Sequence, residues 1–532
     1  MELFEDVRER YRRAFRWVLV DEYQDTNRAQ YRLLQLLAEE HGNLFVVGDD
    51  FQSIYSFRSA DIRNILEFER DFDGTTAIKL EQNYRSTQTI LDAANGIISH
   101  NRDQKPKRLW TEEGLGDPVT LAEFDDEHGE ARYVASEIQR LAGEEGLSRE
   151  EIAVFYRVNA QSRVLEDMLV RFEIPYQVIG GTKFYERAEV KDAVAYLSLI
   201  ANPADAMSFS RIVNSPRRGI GDTTQARLLS HANTMGQDIS EVFSEPERAP
   251  GLAPAAVRSV GKFAELMRGL RERADAEASV AELLRTALTE SGYLDALAAE
   301  RTIEAEGRAE NLEELISVAG EFDANREVEG DSDVSPLEEF LAQISLYTDQ
   351  DSIADGESMC TLMTLHNAKG LEYGAVFMIG CEEGVFPHMR SLEEGNLEEE
   401  RRLCYVGVTR ARRRLCMTFA RRRTLHGGRG YNLPSRFLAE IPEECVERRT
   451  SSSSTGWPSG GGLGGSGLNM PERRQPHATP LDFAVGDDVV HASFGEGVVT
   501  GIESGNLLVV RFAGDATERK LMADYAPLRK AG

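Results

Sequence analysis

Cysteines and long apolar runs are both scarce in this sequence of 532 residues. Five scattered cysteines without a CxxC pair argue against a disulfide scaffold or a structural zinc site, and favour a reducing compartment. The longest apolar runs, such as IAVFY at 152–156, are far shorter than the ~20 residues that cross a bilayer. The first residues, MELFEDVRERYRR, lack the apolar core of a secretory signal. We therefore predict a cytoplasmic protein without a membrane span.

Positive charge is also in deficit, because 61 lysines and arginines face 90 acidic residues and leave a net charge of −29. Such an excess opposes binding to nucleic-acid phosphates when the charge is evenly spread. The charge is not evenly spread: residues 401–430 hold ten arginines and no acidic residue, directly after the acidic stretch SLEEGNLEEE. A solvated helix followed by a basic strand pair, and a basic surface for nucleic acid, are both compatible with this run.

Short apolar strands alternate with helical periods in residues 1–110, 152–180 and 361–419. This rhythm predicts an α/β fold in which helices cover both faces of a parallel sheet. Residues 185–350 are almost entirely helix-forming, with little strand pattern. We therefore predict an all-helical insertion between two α/β stretches.

The clearest boundary is the stretch 451–467, SSSSTGWPSGGGLGGSG, in which thirteen of seventeen residues are Gly or Ser. So few apolar groups predict a flexible linker, continuing to about residue 480. Residues 481–532 return to strand alternation broken by closely spaced turns, which predicts a small β-barrel.

Two apolar strands end in polar side chains that can carry chemistry. Asp21 and Glu22 follow WVLV, where a carboxylate can bind Mg²⁺ and a neighbour can activate water. The next strand leads into VGDDFQSIYSFR, where Gln52 can position water and the aromatics beside Arg58 can stack on bases. Taken singly, each motif is also compatible with an exposed strand end or with a loop that covers the sheet.

Five blocks occur together in order: DEYQDTN, GDDFQSIYSFRSA, QNYRS, TLMTLHNAKGLEY and RRLCYVGVTRAR. As a set they resemble the UvrD/PcrA/Rep group of superfamily-1 DNA helicases, over about residues 1–440. The resemblance implies two RecA-like domains of the P-loop NTPase type that use ATP and Mg²⁺. It also implies 3′→5′ DNA unwinding in repair and replication, on single-stranded DNA and single-strand/duplex junctions.

The resemblance implies one set of nucleotide contacts, drawn from both motor domains. These are Asp21 for Mg²⁺, Glu22 as the catalytic base, Gln52 for the γ-phosphate and the attacking water, Tyr84 stacked on adenine, Arg85 for the γ-phosphate, Glu372 for the ribose and Arg410 for the transferred phosphoryl group. An arginine that reaches across such a cleft can supply ~10³–10⁵ in rate.

The resemblance also implies DNA contacts, which are Tyr55, Phe57 and Arg58 for strand stacking, Arg157, Asn159, Thr364 and His366 for the single strand, and Arg218, Gly219 and Gly221 for the duplex. The family often has Trp and Gly where this chain has Phe57 and Ser59, which predicts a somewhat weaker stack. For His366 a buried packing role is the alternative. For the Gly-Ile-Gly turn the alternative is a plain connection between helices.

The domain boundaries that we predict are, in order, 1–80 for part of the first motor domain, 81–180 and 351–448 for the second, 181–350 for the helical insertion, 449–480 for the linker and 481–532 for a Tudor/KOW-like (SH3-like) barrel. In relatives a barrel of this kind docks on RNA polymerase, which the resemblance therefore implies as a partner.

A phosphate-binding loop is missing, because no GxxxxGK[ST] occurs in the 532 residues. We expect a first motor domain that lacks its start, and ATP turnover near background for this sequence alone. Two alternatives remain: a non-catalytic protein that binds DNA or RNA polymerase, and a subunit whose nucleotide site is completed by another polypeptide.

Overall fold

The computed structural model describes residues 1–276, 278–329, 334–350, 358–425 and 428–450, and five strands between residues 488 and 530. The chain divides into two compact units, Met1–Ser453 and Ser454–Gly532. The predicted linker falls almost entirely outside the described residues. Among the described helices, none combines the length and the apolar character that a bilayer crossing requires.

The chain begins with a small α/β lobe, which we call the first lobe. Its elements are α1 (Glu5–Ala14), β1 (Val18–Val20), α2 (Arg28–Ala38), β2 (Leu44–Val46), α3 (Arg63–Leu66) and α4 (Phe68–Asp71). Strands β1 and β2 pair in parallel, and Tyr23, Tyr31 and Phe68 pack against one face of the pair. On the other face, Leu19 and Phe45 are 74% and 63% exposed.

A larger lobe, the second lobe, is assembled from two separate stretches of chain. The first stretch contains β3 (Gln82–Asn83), α5 (Gln88–Ile98), β4 (Trp110–Thr111), β5 (Val119–Asp126), α6 (Glu127–Gly143), β6 (Ile152–Tyr156), α7 (Ser162–Arg171) and β7 (Tyr176–Ile179). Between the two stretches lies the helical insertion, with α8 (Ala188–Ala201), α9 (Ala206–Ile212), α10 (Asp222–Met235), α11 (Ile239–Ser244), α12 (Pro254–Asp275), α13 (Val280–Glu290), α14 (Tyr293–Glu300), α15 (Ile303–Glu329) and α16 (Pro336–Gln350). The second stretch contains β8 (Cys360–Thr364), β9 (Tyr373–Met378), α17 (Met389–Glu393), α18 (Leu397–Val408), β10 (Ala411–Leu425), β11 (Gly428–Tyr431), α19 (Arg436–Ala439) and β12 (Val446–Thr450).

The second lobe is organised around one sheet with the strand order β12-β5-β10-β9-β6-β8-β7. The paired strands run parallel, and β11 is added antiparallel to β10. Helices α5, α18 and α19 pack on one face, and α6 and α7 on the other. All five residues of β6 are buried, because a central strand between two helical layers has no solvent face.

The helical insertion has a hydrophobic core of its own, drawn from helices α8 to α16. Phe209 and Phe243 stack at its centre, and Phe263 meets both rings edge-on, with ring centroids 5.4–6.0 Å apart. The insertion is therefore packed around a core distinct from those of the second lobe.

The arginine-rich run at 401–430 does not form a simple basic surface. Four of its ten arginines, at positions 401, 402, 410 and 423, are buried. Arg401 pairs with Glu440 at 2.7 Å, and Arg423 pairs with Glu382 at 2.7 Å. Arg402 donates to the carbonyl of Ser53, 2.7 Å away, and so links α18 to the first lobe. Four of the ten positive charges therefore lie inside the protein and are not available at the surface.

In the second unit, the structure describes strands β13 (Asp488–His491), β14 (Gly495–Glu503), β15 (Leu507–Phe512), β16 (Glu518–Met522) and β17 (Leu528–Lys530). They pair antiparallel in the order β16-β15-β14-β13-β17. The connections between these strands lie outside the described residues, and closure into a barrel stays a prediction.

Candidate functional site

The tips of β1 and β2 bring carboxylates and amides together, because parallel strands end at the same edge of a sheet. The backbone of Glu22 is left-handed, with φ of 48°, and its carboxylate accepts from Gln24 Nε2 at 2.6 Å. The side chain of Gln24 is fully buried and its Oε1 accepts from the amide of Asp49 at 3.0 Å. Gln24 therefore fixes the tips of both strands relative to each other.

Gln52 and Asp21 also lie at this edge of the sheet. Gln52 Nε2 donates to Asp49 Oδ2 at 2.8 Å, and Lys107 Nζ is 2.5 Å from the other oxygen of that carboxylate. Asp21 is exposed, and its Oδ1 accepts from the amide of Glu22 at 2.9 Å. An exposed carboxylate at a strand tip fits a Mg²⁺ ion, which prefers oxygen ligands and keeps several waters.

The second lobe contributes a cluster of opposite charge. Arg85 Nε donates to Glu372 Oε2 at 2.7 Å, and this bond with its charge lowers the pKa of Glu372. Arg410 is only 2% exposed and donates to the carbonyls of Val406 and Leu371 at 3.1 and 3.3 Å.

The environment of Arg410 connects the two lobes electrostatically. Burial, and then the neighbouring Arg85, lower the pKa of Arg410 to about 10, while the first-lobe carboxylates of Asp49 and Glu22 act in the opposite direction. Two adjacent guanidinium groups repel each other, and an anion between them relieves that repulsion. The arrangement is suited to binding phosphate.

Tyr84 stands beside this cluster with 75% of its surface exposed. Its hydroxyl donates to Gln82 Oε1 at 3.0 Å, which leaves the ring face accessible. An exposed aromatic face next to paired guanidinium groups can stack on a base.

One side chain that the sequence analysis did not single out joins the two lobes. Lys369, in the turn after β8, is 7% exposed and its Nζ is 3.2 Å from Glu22 Oε2. The same Nζ forms an ion pair with Asp25 and donates to the carbonyl of Gln52 at 2.9 Å. It also lies 5.2 Å from the ring centroid of Tyr55. The ammonium therefore contacts both the acidic strand tips and the aromatic segment.

The predicted stacking residues form a continuous aromatic row across the lobe boundary. The ring centroids of Tyr55 and Phe57 are 5.9 Å apart, and the ring of His366 meets Phe57 edge-on at 5.6 Å. The guanidinium of Arg58 lies 5.7 and 5.5 Å from the two first-lobe rings. Phe57 is 43% exposed, so that a face remains for a base.

His366 has features of both predicted roles, the buried packing residue and the single-strand contact. Burial, and then the positive charge of Arg157, lower its pKa to about 3, so the imidazole is neutral near pH 7. Its carbonyl accepts from the hydroxyl of Tyr55 at 3.3 Å, and its ring packs on Phe57. The residue supports the aromatic row by packing and also borders its exposed part.

The remaining single-strand candidates are partly engaged within the protein. Arg157 Nη2 lies 2.8 Å from Glu400, whose carboxylate also accepts from the amide of His388 at 3.0 Å. Thr364 ends β8, and Asn159 offers its carbonyl to Arg187 at 3.2 Å. Arg157 is therefore held by a buried carboxylate near the aromatic row.

Within the helical insertion, Arg218 points inward, unlike a surface arginine aimed at DNA. Its guanidinium donates to the carbonyl of Ile212 at 2.9 Å, to the hydroxyl of Tyr196 at 2.7 Å and to the carbonyl of Ser291 at 3.1 Å. Gly219, with φ of 77°, and Gly221, which precedes α10, are exposed. Arg218 therefore stabilises the turn, and the exposed glycine backbone is the part accessible to a duplex.

Three residues of this site were not predicted from the sequence: Gln24, Asp49 and Lys369. Gln24 and Asp49 lie inside the motifs DEYQDTN and GDDFQ, whose polar positions around the acidic pair offered a signal. Lys369 lies inside NAKG, but its partners at positions 22, 25 and 52 are more than 300 residues away. No local pattern identifies contacts at that separation.

Comparison with known families gives two matches that together extend from residue 1 to residue 422. Residues 1–73 match the UvrD/REP helicase N-terminal domain, and residues 78–422 match the UvrD-like helicase C-terminal domain.

Individual relatives match along nearly the whole chain. The ATP-dependent DNA helicase PcrA of Leuconostoc citreum is 42% identical over 543 residues, covering 99% of this chain and 72% of the relative. PcrA of Bacillus subtilis (strain 168) shows the same identity and coverage. The ATP-dependent DNA helicase UvrD1 of Mycobacterium tuberculosis (strain ATCC 25618 / H37Rv) is 43% identical, covering 100% of this chain and 72% of the relative.

Proposed function

This chain belongs to the UvrD/PcrA family of helicases, and we propose that it forms the motor of an ATP-dependent DNA helicase and translocase that moves 3′→5′ along single-stranded DNA. The relatives named PcrA and UvrD1 are ATP-dependent DNA helicases. The direction of movement and a role in DNA repair and replication are part of the proposal.

One observation supports this proposal most strongly. A single lobe boundary carries a carboxylate and amide edge, a guanidinium pair and an aromatic row, and Lys369 contacts two of the three. A motor that couples hydrolysis to movement needs its phosphate contacts and its strand contacts to share one moving boundary. The arrangement around Lys369 meets that requirement.

In the proposed mechanism, the nucleotide lies between the two lobes. Asp21 would hold Mg²⁺, which supplies charge neutralisation for the phosphates when bound. Glu22 accepts a proton from the attacking water, and Gln52 orients that water. Arg85 and Arg410 offset negative charge on the phosphates from the second lobe, while Tyr84 and Glu372 position the base and the ribose.

The strand contacts follow from the aromatic row. Bases stack on Phe57 and Tyr55, and Arg58 and the turn with Thr364 and His366 contact the backbone. Asn159 and Arg157 lie on the second lobe, so lobe closure would shift the strand relative to the first lobe. In the insertion, the backbone at Gly219 and Gly221 would contact the duplex, with Arg218 holding the turn in place.

We also propose the domain division that the sequence predicted. The two lobes correspond to residues 1–80, and to 81–180 with 351–448. The helical insertion corresponds to 181–350, the linker to 449–480 and a C-terminal interaction module to 481–532. RNA polymerase is the partner that we propose for this module, on the basis of the family resemblance alone.

The experiment that tests the proposed function measures ATP turnover and strand displacement together. Because GxxxxGK[ST] is absent from the 532 residues, we expect these residues alone to bind single-stranded DNA with turnover near background. Adding a phosphate-loop segment of a relative should restore turnover that oligo(dT) stimulates, and displacement of a duplex with a 3′ tail but not one with a 5′ tail. Arg410→Ala should then lower turnover by ~10³-fold. Absence of single-strand binding, or displacement from a 5′ tail only, would contradict the proposal.

A further inference from the structure

A cavity of about 890 Å³ lies where the helical insertion meets the second lobe. The described residues that line it come mainly from α6, α7 and α15, and they are separate from the strand tips and the aromatic row. Three of them, Glu127, His128 and Glu321, carry the nitrogen and oxygen ligands that bind transition metals in proteins. Each offers one ligand atom, and these atoms all lie within 4.8 Å of one another.

The spacing within this cluster matches a metal site better than a hydrogen bond. His128 Nε2 is 3.4 Å from Glu321 Oε1, which is longer than the ~2.7–3.2 Å of an ordinary hydrogen bond. Two ligands that bind one Zn²⁺ ion tetrahedrally at ~2.0–2.1 Å are about 3.3–3.4 Å apart. The imidazole and the carboxylate are therefore spaced like one edge of a zinc tetrahedron, with Glu127 as a third ligand and water as the fourth.

Both carboxylates of the cluster are oriented by contacts behind them. Glu127 is buried, and its Oε1 accepts from the amide of Thr424 at 2.9 Å. Glu321 Oε2 lies 3.4 Å from Arg163 Nη2, so Oε1 is the oxygen that faces His128. Contacts of this kind fix the direction of a metal ligand and strengthen metal binding.

Positive charge is in deficit around the cluster. The guanidinium of Arg163 is shared by three carboxylates, those of Asp167, Glu314 and Glu321. Glu127 adds a fourth negative charge close enough to act on Glu314. A divalent cation between Glu127 and Glu321 would offset this surplus, which a single guanidinium does not.

Other arginines line the cavity but do not supply the missing charge. Arg132, Arg171 and Arg422 are exposed, so water and salt screen them. Arg326 has its own partner in Glu339, 3.6 Å away. The cluster therefore favours a cation over an anion as its ligand.

We propose that Glu127, His128 and Glu321 bind a transition-metal dication, of which Zn²⁺ is the best fit, and that this ion fastens α15 of the insertion to α6 of the second lobe. One imidazole with two carboxylates suits Zn²⁺, whereas Mg²⁺ prefers six oxygen ligands. Because the ligands come from two modules, a bound ion opposes their separation. Without an ion, His128 and Glu321 pair directly with each other. The site is distinct from the Mg²⁺ site proposed at Asp21 and does not depend on the proposed function.

Zinc binding by the 532-residue protein tests the site, with excess Mg²⁺ present to occupy Asp21 and a chromogenic chelator as the competitor. We expect one equivalent of Zn²⁺ whose affinity falls at least ~10-fold in His128→Asn and in Glu321→Gln. His100→Asn changes an exposed histidine just after α5, and as the matched control it should bind like the wild type. Melting curves show whether each variant is folded, and Glu127→Gln replaces one that is not.

Two further readouts separate a metal site from a structural role of the same side chains. Co²⁺ in place of Zn²⁺ should give the visible absorption bands of a tetrahedral ion in the wild type and in His100→Asn, and not in His128→Asn or Glu321→Gln. Zn²⁺ should also slow hydrogen exchange in α15 several-fold in the wild type and leave both ligand variants unchanged.

The outcomes that overturn the proposal are distinct. Equal zinc affinity in the wild type and both ligand variants would refute the site. Binding of Ca²⁺ as tight as that of Zn²⁺ would show a general acidic cluster and would also refute it. Zinc binding at these residues with unchanged exchange in α15 would refute the fastening of the insertion to the second lobe.

Discussion

At the scale of single residues, hydrolysis in this account depends on Glu22. Glu22→Gln keeps the size of the side chain and its bond to Gln24 but removes the group that accepts a proton. We expect turnover of the reconstituted motor to fall by ~10²–10⁴-fold, the usual effect of losing a general base, while nucleotide and DNA binding change little. Glu113→Gln, on an exposed turn, is the matched control and should turn over normally. Near-normal turnover in Glu22→Gln would assign the base to another residue.

In the function proposed for this chain, single-strand affinity should depend most on Phe57. Phe57→Ala removes the central ring of the aromatic row, and we expect a loss of ~1–3 kcal/mol in the free energy of oligo(dT) binding. Phe15→Ala is the control, because Phe15 directly follows α1, is 51% exposed and stacks on Tyr11. Fluorescence anisotropy at fixed salt measures both variants. Equal affinities in the two would remove the stacking role from Phe57.

Residues inside local motifs were predictable, and residues defined by distant partners were not. Gln52 and the pair Asp21–Glu22 follow apolar strands, so the parallel-sheet rule alone predicts that they meet. Lys369 offered no such signal, because its role comes from carboxylates contributed by another lobe. The inward direction of Arg218 was also not predictable, because the sequence does not distinguish it from the adjacent Arg217. Only the packing shows that Arg218 bonds to groups inside the insertion.

At the scale of elements, the contact between α15 and the second lobe is held by buried charge. Arg163 on α7 is 4% exposed and lies 2.6 Å from Glu314 on α15, a carboxylate whose pKa is raised by burial. Arg163→Met leaves that carboxylate without its main partner. We expect the free energy of unfolding in urea to fall by about 3–5 kcal/mol. Arg285→Met removes a partly exposed pair with Glu313, and as the control it should cost no more than about 1 kcal/mol.

A second contact of α15 should respond to pH. His128 on α6 lies 3.4 Å from Glu321, and this partner raises the pKa of His128 despite burial and the nearby Arg163. A raised pKa in the folded state stabilises the protein below the unfolded value of about 6.5, and the contribution disappears as the pH rises through the folded pKa. We therefore expect His128→Asn to lower the melting temperature at pH 5.5, by a difference that shrinks as the pH rises through the folded pKa.

The stability contribution of His366 should depend on pH in the opposite direction to that of His128. Its pKa is lowered to about 3, so His366 destabilises the fold as the pH falls below about 6.5. His366→Asn should flatten this loss at acidic pH, whereas His128→Asn should deepen it. If both variants shifted the melting temperature in the same direction at pH 5.5, the assignment of these charges would be contradicted.

Elements were predictable where one periodicity dominates. Strands such as IAVFY are continuously apolar because both faces are covered, and the insertion is helical because its leucines repeat at helical spacing. The burial of α18 was not predictable from its charged sequence, LEEERRLCYVGV. Its arginines can be buried because they pair with groups distant in sequence, such as the carboxylate of Glu440 and the carbonyl of Ser53.

At the scale of the whole molecule, we propose that one lobe boundary holds both the DNA strand and the carboxylates that face the nucleotide. The direct test is photo-cross-linking of the 532-residue protein to an oligo(dT) that contains 5-iodouracil, with the adducts located by mass spectrometry. We expect adducts on Tyr55, Phe57 or His366, and fewer of them in Phe57→Ala. Adducts confined to the helical insertion or to the second unit, with none at these three residues, would contradict it.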